Sequence, residues 1–210
     1  MTTANQPQRD QPQQDWISRW QRVARRIRVP LGFAVAALYV FELWQKAPEP
    51  AAVAWSLALV IPGLWLRGYA AGYVKKNQEL TTTGPYAHVR NPLYLGSILM
   101  AAGFAVALES WVVGVALGVM FVAIYVPVIA SEERFLRATF AGFDDYCSRV
   151  PRLIPRLTAA RTPGDDGQGR FFLPLYLKHR EYNSLLGAAL LYLALLILRP
   201  ALHVLISGRP

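Results

Sequence analysis

Five long apolar runs constrain this chain of 210 residues more than any other feature. They cover 29–44, 51–66, 93–108, 111–130 and 185–206. Crossing the hydrocarbon core of a bilayer takes about 20 residues of helix, within a range of about 17–25. The last two runs meet that length, and the first three reach it with their flanks. A soluble protein with buried helices suits such clumping poorly. The prediction is an all-α integral membrane protein with about five transmembrane helices.

The net charge of +9 does not point to nucleic acid, because of where the cations lie. Of 22 lysines and arginines, all but Lys46, Arg199 and Arg209 fall before Val29, between Arg67 and Arg90, or between Arg134 and Arg180. With five spans, those three segments share one side. Cytoplasmic loops carry the basic excess, so that side is the cytoplasm, with the N terminus inside and the C terminus outside. The cations then serve topology and attraction to anionic lipids. A bacterial-type inner or plasma membrane is the expected location. The polar, Gln-rich start of the chain shows no signal-peptide cleavage pattern. Cys147 is the sole cysteine, so no internal disulfide or thiolate metal cluster can form. His88, His179 and His203 are too scattered to suggest a metal site.

In order, residues 1–15 read as a disordered tail. Over 16–28, Trp16, Ile17, Trp20, Val23 and Ile27 alternate with Arg19, Arg22, Arg25 and Arg26 at helical spacing. That pattern predicts a separate interfacial helix. Transmembrane helices 1 and 2 occupy 29–72, with Glu42 wet near the outer end, a kink at Pro62 and Gly63, and Arg67 snorkelling to the inner surface. A core follows at 73–157, holding a loop, two further spans, a cytoplasmic helix and a strap. Residues 158–184 form a cytoplasmic loop and an interfacial segment, and 185–210 the fifth span.

The densest chemistry is the stretch 80–96, LTTTGPYAHVRNPLYLG. Gly84 and Pro85 set a turn, and Pro92 fits the first turn of a helix. Tyr86, His88, Arg90, Asn91 and Tyr94 crowd into the same few residues. Polar and aromatic groups at a helix start beside an apolar run suit a polar cofactor at a membrane surface. Beyond them, Gly96, Ser97, Ala101, Ala102 and Gly103 offer a small-residue face for helix packing. Glu132 and Glu133 stand where the fourth span leaves the membrane, on a helix expected to continue to about 140 and stop by Gly142. Val150-Pro151 and Ile154-Pro155 force extended backbone, so 143–157 reads as a strap over the cytoplasmic helix ends.

Taken in order, Gly84-Pro85-Tyr86, His88-Val89-Arg90-Asn91-Pro92, Tyr94-Leu95-Gly96, Glu132-Glu133, Leu136, Tyr146 and Val150-Pro151-Arg152-Leu153-Ile154-Pro155 form a specific series. It resembles the integral-membrane isoprenylcysteine carboxyl methyltransferases and the related phospholipid methyltransferases. The resemblance implies a cytoplasm-facing S-adenosylmethionine pocket made from loops and helix ends, and a lipophilic acceptor entering from the bilayer. By motif, Gly84, Tyr86, His88, Arg90, Asn91, Pro92, Tyr94 and Tyr146 would bind the cofactor, with Glu132 or Glu133 facing it from the other side. Arg90, Glu132 and Arg152 are the residues expected to act in catalysis. Two departures stand out: Asn91 replaces a common histidine, and the segment between Glu132 and Val150 is one residue short, so that Phe143 stands where a second tyrosine is usual.

Methyl transfer from a sulfonium is an in-line displacement that depends on alignment. A carboxylate acceptor, with a pKa of about 3.5, is already ionised and needs no general base; Arg90 or Arg152 would orient it by paired hydrogen bonds. An amine acceptor such as a phospholipid amine would need a base such as His88 or a glutamate. The best single expectation is the carboxylate of an isoprenylcysteine. A phospholipid amine, or another membrane-borne amine or thiol, is the alternative. A non-catalytic membrane binding or transport protein is the reading from another class.

Overall fold

The computed structural model describes residues 11–45, 48–75, 78–160 and 169–198. Among them there is helix and loop and no strand. The helices are α1 (Gln11–Gln45), α2 (Pro50–Ala71), α3 (Pro92–Leu108), α4 (Trp111–Met120), α5 (Val126–Thr139), α6 (Phe143–Arg149), α7 (Leu173–Lys178) and α8 (Tyr182–Leu193). A π turn at Phe121–Tyr125 fuses α4 and α5 into one rod, and another at Ala194–Leu198 extends α8.

The long apolar runs became helices, but their bounds differ from expectation at the N terminus. Residues 16–28 do not form a separate interfacial helix; α1 runs unbroken through Pro30, and Gln11–Asp15, expected to be disordered, are part of it. At 1.5 Å per residue its 35 residues extend on the order of 50 Å, more than a bilayer core of about 30 Å. Trp20 ties α1 to the α4–α5 rod. Pro127 has no N–H to offer the carbonyl of Ala123 four residues back. The rod loosens there into the π turn, and the Trp20 indole Nε1 donates to Ala123 O at 3.1 Å. Ala24, Ile124 and Val128 form the cluster against which the half-buried tryptophan packs.

The tightest helix pair is α2 with α3. A methyl group on Gly96 would sit 2.7 Å from Gly63 O, and one on Gly103 would sit 2.9 Å from Ser56 O. The small-residue face read from α3 therefore meets α2, and Gly63 serves this contact inside a continuous helix that also runs through Pro62. Tyr39, Leu43, Val60, Phe104, Leu108, Val113, Ala188 and Leu195 form the main core, joining α1, α2, α3, α4 and the α8 extension. Near the turn between α3 and α4, the Ser110 hydroxyl accepts from Val113 N, capping α4, and donates to Glu42 at 2.8 Å. Glu42 thus has a protein partner instead of being merely wet.

Pro50–Ala71 and Trp111–Thr139 are long and apolar enough to cross a membrane, and 22% of each apolar window is buried. Most of that apolar surface therefore faces outward, with Trp55, Ile61, Trp65, Val115, Val119 and Val122 exposed, which water would penalise and lipid accepts. Pro30–Gln45, Pro92–Leu108 and Tyr182–Leu196 are shorter apolar helices. The strap is part helix: α6 precedes the extended backbone, and Gly142, at φ +86, starts α6 after α5 has already ended at Thr139. Much of the loop expected from 158 onward, and the end of the fifth span beyond residue 198, lie outside the described residues.

Candidate functional site

Gly84 opens the site. Its φ of +58 is left-handed, and a side chain there would strike the Tyr73 ring at 2.5 Å, so glycine alone fits. Gly84–Ala87 then form one 3₁₀ turn, and Pro92 starts α3 in the position where a missing N–H costs least. Between them the chain runs alongside the strap. Arg90 N donates to Pro151 O at 2.9 Å, Arg156 N to His88 O at 3.0 Å, and Ala160 N to Ala87 O at 2.9 Å. The buried Tyr146 hydroxyl donates to Tyr86 O at 2.7 Å. Burial pushes both the Tyr86 and Tyr146 phenols upward, so they remain neutral donors.

Glu133 is the hub of the polar cluster. It is buried at 5% exposure on α5. Arg90 Nε donates to its Oε1 at 3.2 Å and Asn91 Nδ2 to the same oxygen at 3.3 Å. Arg152 Nε donates to Oε2 at 3.1 Å, and its Nη2 adds a shorter bond. Burial alone would raise this carboxyl; the hydrogen bond from Arg152, the charges of Arg90 and Arg152, and the Asn91 amide outweigh it and hold the group below its ordinary value. Arg90 Nη1 is also engaged, donating to Cys147 O at 2.9 Å and Val150 O at 3.1 Å. Asn91 donates to Arg152 O at 3.2 Å, a tie an amide can make without charge. Burial raises the Cys147 thiol, which leaves it protonated and a poor nucleophile.

Glu132, one residue earlier, points elsewhere. It is exposed and accepts from the Tyr94 hydroxyl at 2.9 Å. Tyr94 in turn meets the Tyr125 ring edge to face, with centroids 5.8 Å apart. Both glutamates border a cavity of about 560 Å³. Tyr86, Arg90, Asn91, Pro92, Tyr94, Glu132, Glu133 and Tyr146 line it, so eight of the predicted site residues come together. Arg152 acts on it through Glu133, while Gly84 and His88 stand outside the lining. His88 Nδ1 is bonded to Arg156 O at 2.8 Å, so its ring braces the strap.

The far wall holds a pair that sequence reasoning missed. Arg67, expected to snorkel to the inner surface, lines the cavity and meets Glu181 through two parallel contacts, Nη2 to Oε1 at 3.0 Å and Nε to Oε2 at 3.1 Å. Both residues flank apolar runs on the same side, and that is the signal that could have paired them. Among the described residues, no three His, Cys, Asp or Glu side chains group so as to hold a metal ion.

Residues 52–142 match the family model described as phospholipid methyltransferase. The matched segment contains Arg67, the 84–94 loop and both glutamates, while Tyr146, Arg152 and Glu181 lie beyond it. The nickel-cobalt-cadmium resistance protein NccN of Alcaligenes xylosoxydans xylosoxydans is 38% identical over 99 residues, covering 47% of this chain and 46% of that protein. The cobalt-zinc-cadmium resistance protein CzcN of Cupriavidus metallidurans is 39% identical over 98 residues, covering 47% and 44%. The protein-S-isoprenylcysteine O-methyltransferase of Schizosaccharomyces pombe is 30% identical over 101 residues, covering 48% and 43%. Each match thus spans less than half of the relative's length. No solved structure matches the chain.

Proposed function

We infer that the protein is a membrane methyltransferase that uses S-adenosylmethionine on a lipophilic acceptor, best read as the carboxylate of an isoprenylcysteine. One observation carries this: two polar clusters, separated in sequence by the α3–α4 hairpin, border a single cavity at the helix ends. At about 560 Å³ the cavity falls within the range of about 300–1,000 Å³ of small-molecule sites. Its donor set suits the cofactor. Glu132, oriented by Tyr94, offers a carboxylate to hydroxyl or ammonium groups, and Tyr94 and Tyr125 offer aromatic surface to a purine. When bound, S-adenosylmethionine supplies an electrophilic methyl group on a sulfonium.

The chain's own residues hold and align. The cluster on Glu133 fixes Arg90, Asn91 and Arg152, and with them the loop and the strap. Tyr146 clamps the loop at Tyr86 O. An acceptor carboxylate arrives ionised, so no side chain has to remove a proton. The apolar flanks exclude water, which strengthens attraction between anion and sulfonium. Five spans, an N terminus in the cytoplasm and a C terminus outside complete this reading; the basic segments on one side support it.

Calorimetry on purified protein tests the reading: binding of S-adenosylmethionine or S-adenosylhomocysteine is expected, and none at millimolar concentration sinks it. Radiolabelled methyl transfer to N-acetyl-S-farnesylcysteine, compared with a phospholipid extract, separates the carboxylate acceptor from a lipid amine. The resistance names of two relatives favour a competing reading, a non-catalytic membrane binding or transport protein. Replacement of His88, Arg90 and Glu132 without loss of ligand binding or activity would decide for it.

A further inference from the structure

The acceptor's position within the cavity follows from a contrast between its arginines. Arg90 is tied to two backbone carbonyls as well as to the buried Glu133, so its removal from that network would dismantle loop and strap together. Arg152 spends its Nε and Nη2 on the same glutamate. Arg90 is thus divided among Glu133 and two carbonyls, and Arg152 stands outside the cavity lining.

Arg67 is built differently. Its Nη1 is braced from one side, by Leu93 O at 3.2 Å and by the Ser97 hydroxyl. The other edge, Nε and Nη2, faces a carboxylate in the paired geometry that guanidinium and carboxylate adopt. That carboxylate belongs to Glu181, which lines the cavity with it. A second observation concerns the backbone that carries Glu181. The preceding residue, Arg180, is not glycine and has φ of +54, a left-handed conformation that an ordinary side chain resists. Glu181 therefore rides on a strained joint between α7 and α8. An ion pair at a partly buried wall gains little net stability over an apolar pair of the same shape, because both charges lose water. Its value here lies in what it can exchange.

We propose that the Nε–Nη2 edge of Arg67 is the binding position for the carboxylate of the methyl acceptor, and that Glu181 fills it in the resting protein as an internal substitute. Acceptor entry exchanges one carboxylate for another on a fixed fork, and Glu181 swings into the cavity on the Arg180 joint. This rests on the methyltransferase reading for the identity of the ligand, while the carboxylate site itself is read from Arg67 and Glu181. The same chemistry is present in the carboxylate of S-adenosylmethionine, so the test has to separate the two sources.

The experiment titrates full-length protein in detergent with three probes: N-acetyl-S-farnesylcysteine, its methyl ester, and S-adenosylhomocysteine. Glu181→Gln is nearly isosteric and removes the internal competitor. It is expected to bind the free acid at least about tenfold more tightly than wild type, with the ester and S-adenosylhomocysteine unchanged. Arg67→Gln in the Glu181→Gln background removes the fork and leaves no unpaired charge; it is expected to lose the preference for acid over ester. Thermal unfolding of each variant checks folding. Weaker acid binding in folded Glu181→Gln, or equal acid and ester affinities in wild type and both variants, overturns the proposal. A change confined to S-adenosylhomocysteine assigns the fork to the cofactor and also overturns it. Failure of wild type to bind S-adenosylhomocysteine, with the acid preference intact, removes the methyltransferase reading and leaves the carboxylate site standing.

Discussion

Glu133 and Glu132 differ by one position and by everything that matters locally. Successive helical residues point about 100° apart, so one carboxylate turns into the Arg90–Arg152 cluster and the other toward Tyr94. Glu133→Ala leaves two guanidinium groups without their anion. It should cost about 3 kcal/mol and lower the thermal unfolding temperature, whereas Glu132→Ala should leave that temperature nearly unchanged and weaken ligand binding. The pH dependence follows from the sign of the shift. Glu133 is held below its ordinary value of 4.5, so the folded state binds its proton less readily than the unfolded chain. Its contribution is complete above that value and is lost as pH falls through the lowered folded one. Acid titration of stability should therefore be shallower in Glu133→Gln than in wild type over that window. Both carboxylates were legible as a pair in the sequence; which one is buried was not, because the rotation of α5 is set by what packs on it.

At the scale of elements, glycine separates two kinds of helix surface. Gly96→Ala places a methyl group 2.7 Å from Gly63 O and 2.6 Å from Arg67 Cγ, forcing α2 and α3 apart. A loss of about 1–3 kcal/mol is expected in thermal unfolding. Gly114→Ala meets nothing within 4 Å and should be neutral or stabilising. The small-residue face was readable from spacing alone, yet its partner was not, since any helix can approach such a face. The rod from Trp111 to Thr139 shows the opposite limit. Pro127 leaves Ala123 O without its helical N–H, and the donor that satisfies it comes from Trp20, over a hundred residues away. Trp20→Phe keeps the ring and deletes the N–H, and should cost about 1 kcal/mol; an unchanged unfolding temperature would count against this role for the indole.

For the whole molecule, the cavity joins the α2–α3 end, the α5 end and the strap, with Glu181 of the α7–α8 joint on its far wall. A ligand held there stabilises all three at once. Saturating S-adenosylhomocysteine, at about 100 times its dissociation constant, should add about 2.7 kcal/mol to stability. Amide exchange should slow together at Arg90, Arg156 and Ala160, whose N–H groups link loop and strap. Slowing at one of the three alone would mean that the ligand sits elsewhere. The outward apolar faces of α2, α4 and α5 make the same protein dependent on lipid or detergent, and it should stay with the membrane through alkaline carbonate washing.

Composition and order along the chain determined the helical class, the apolar segments, the turn at Gly84-Pro85 and the two polar clusters, because hydrophobic run length and backbone restriction act over a few residues. Tertiary structure decided which glutamate is buried, that Arg67 pairs with Glu181 and that Arg90 is consumed by the strap. Those outcomes depend on side-chain direction and on contacts between segments far apart in sequence, where burial makes every charge seek the partner that packing brings within reach.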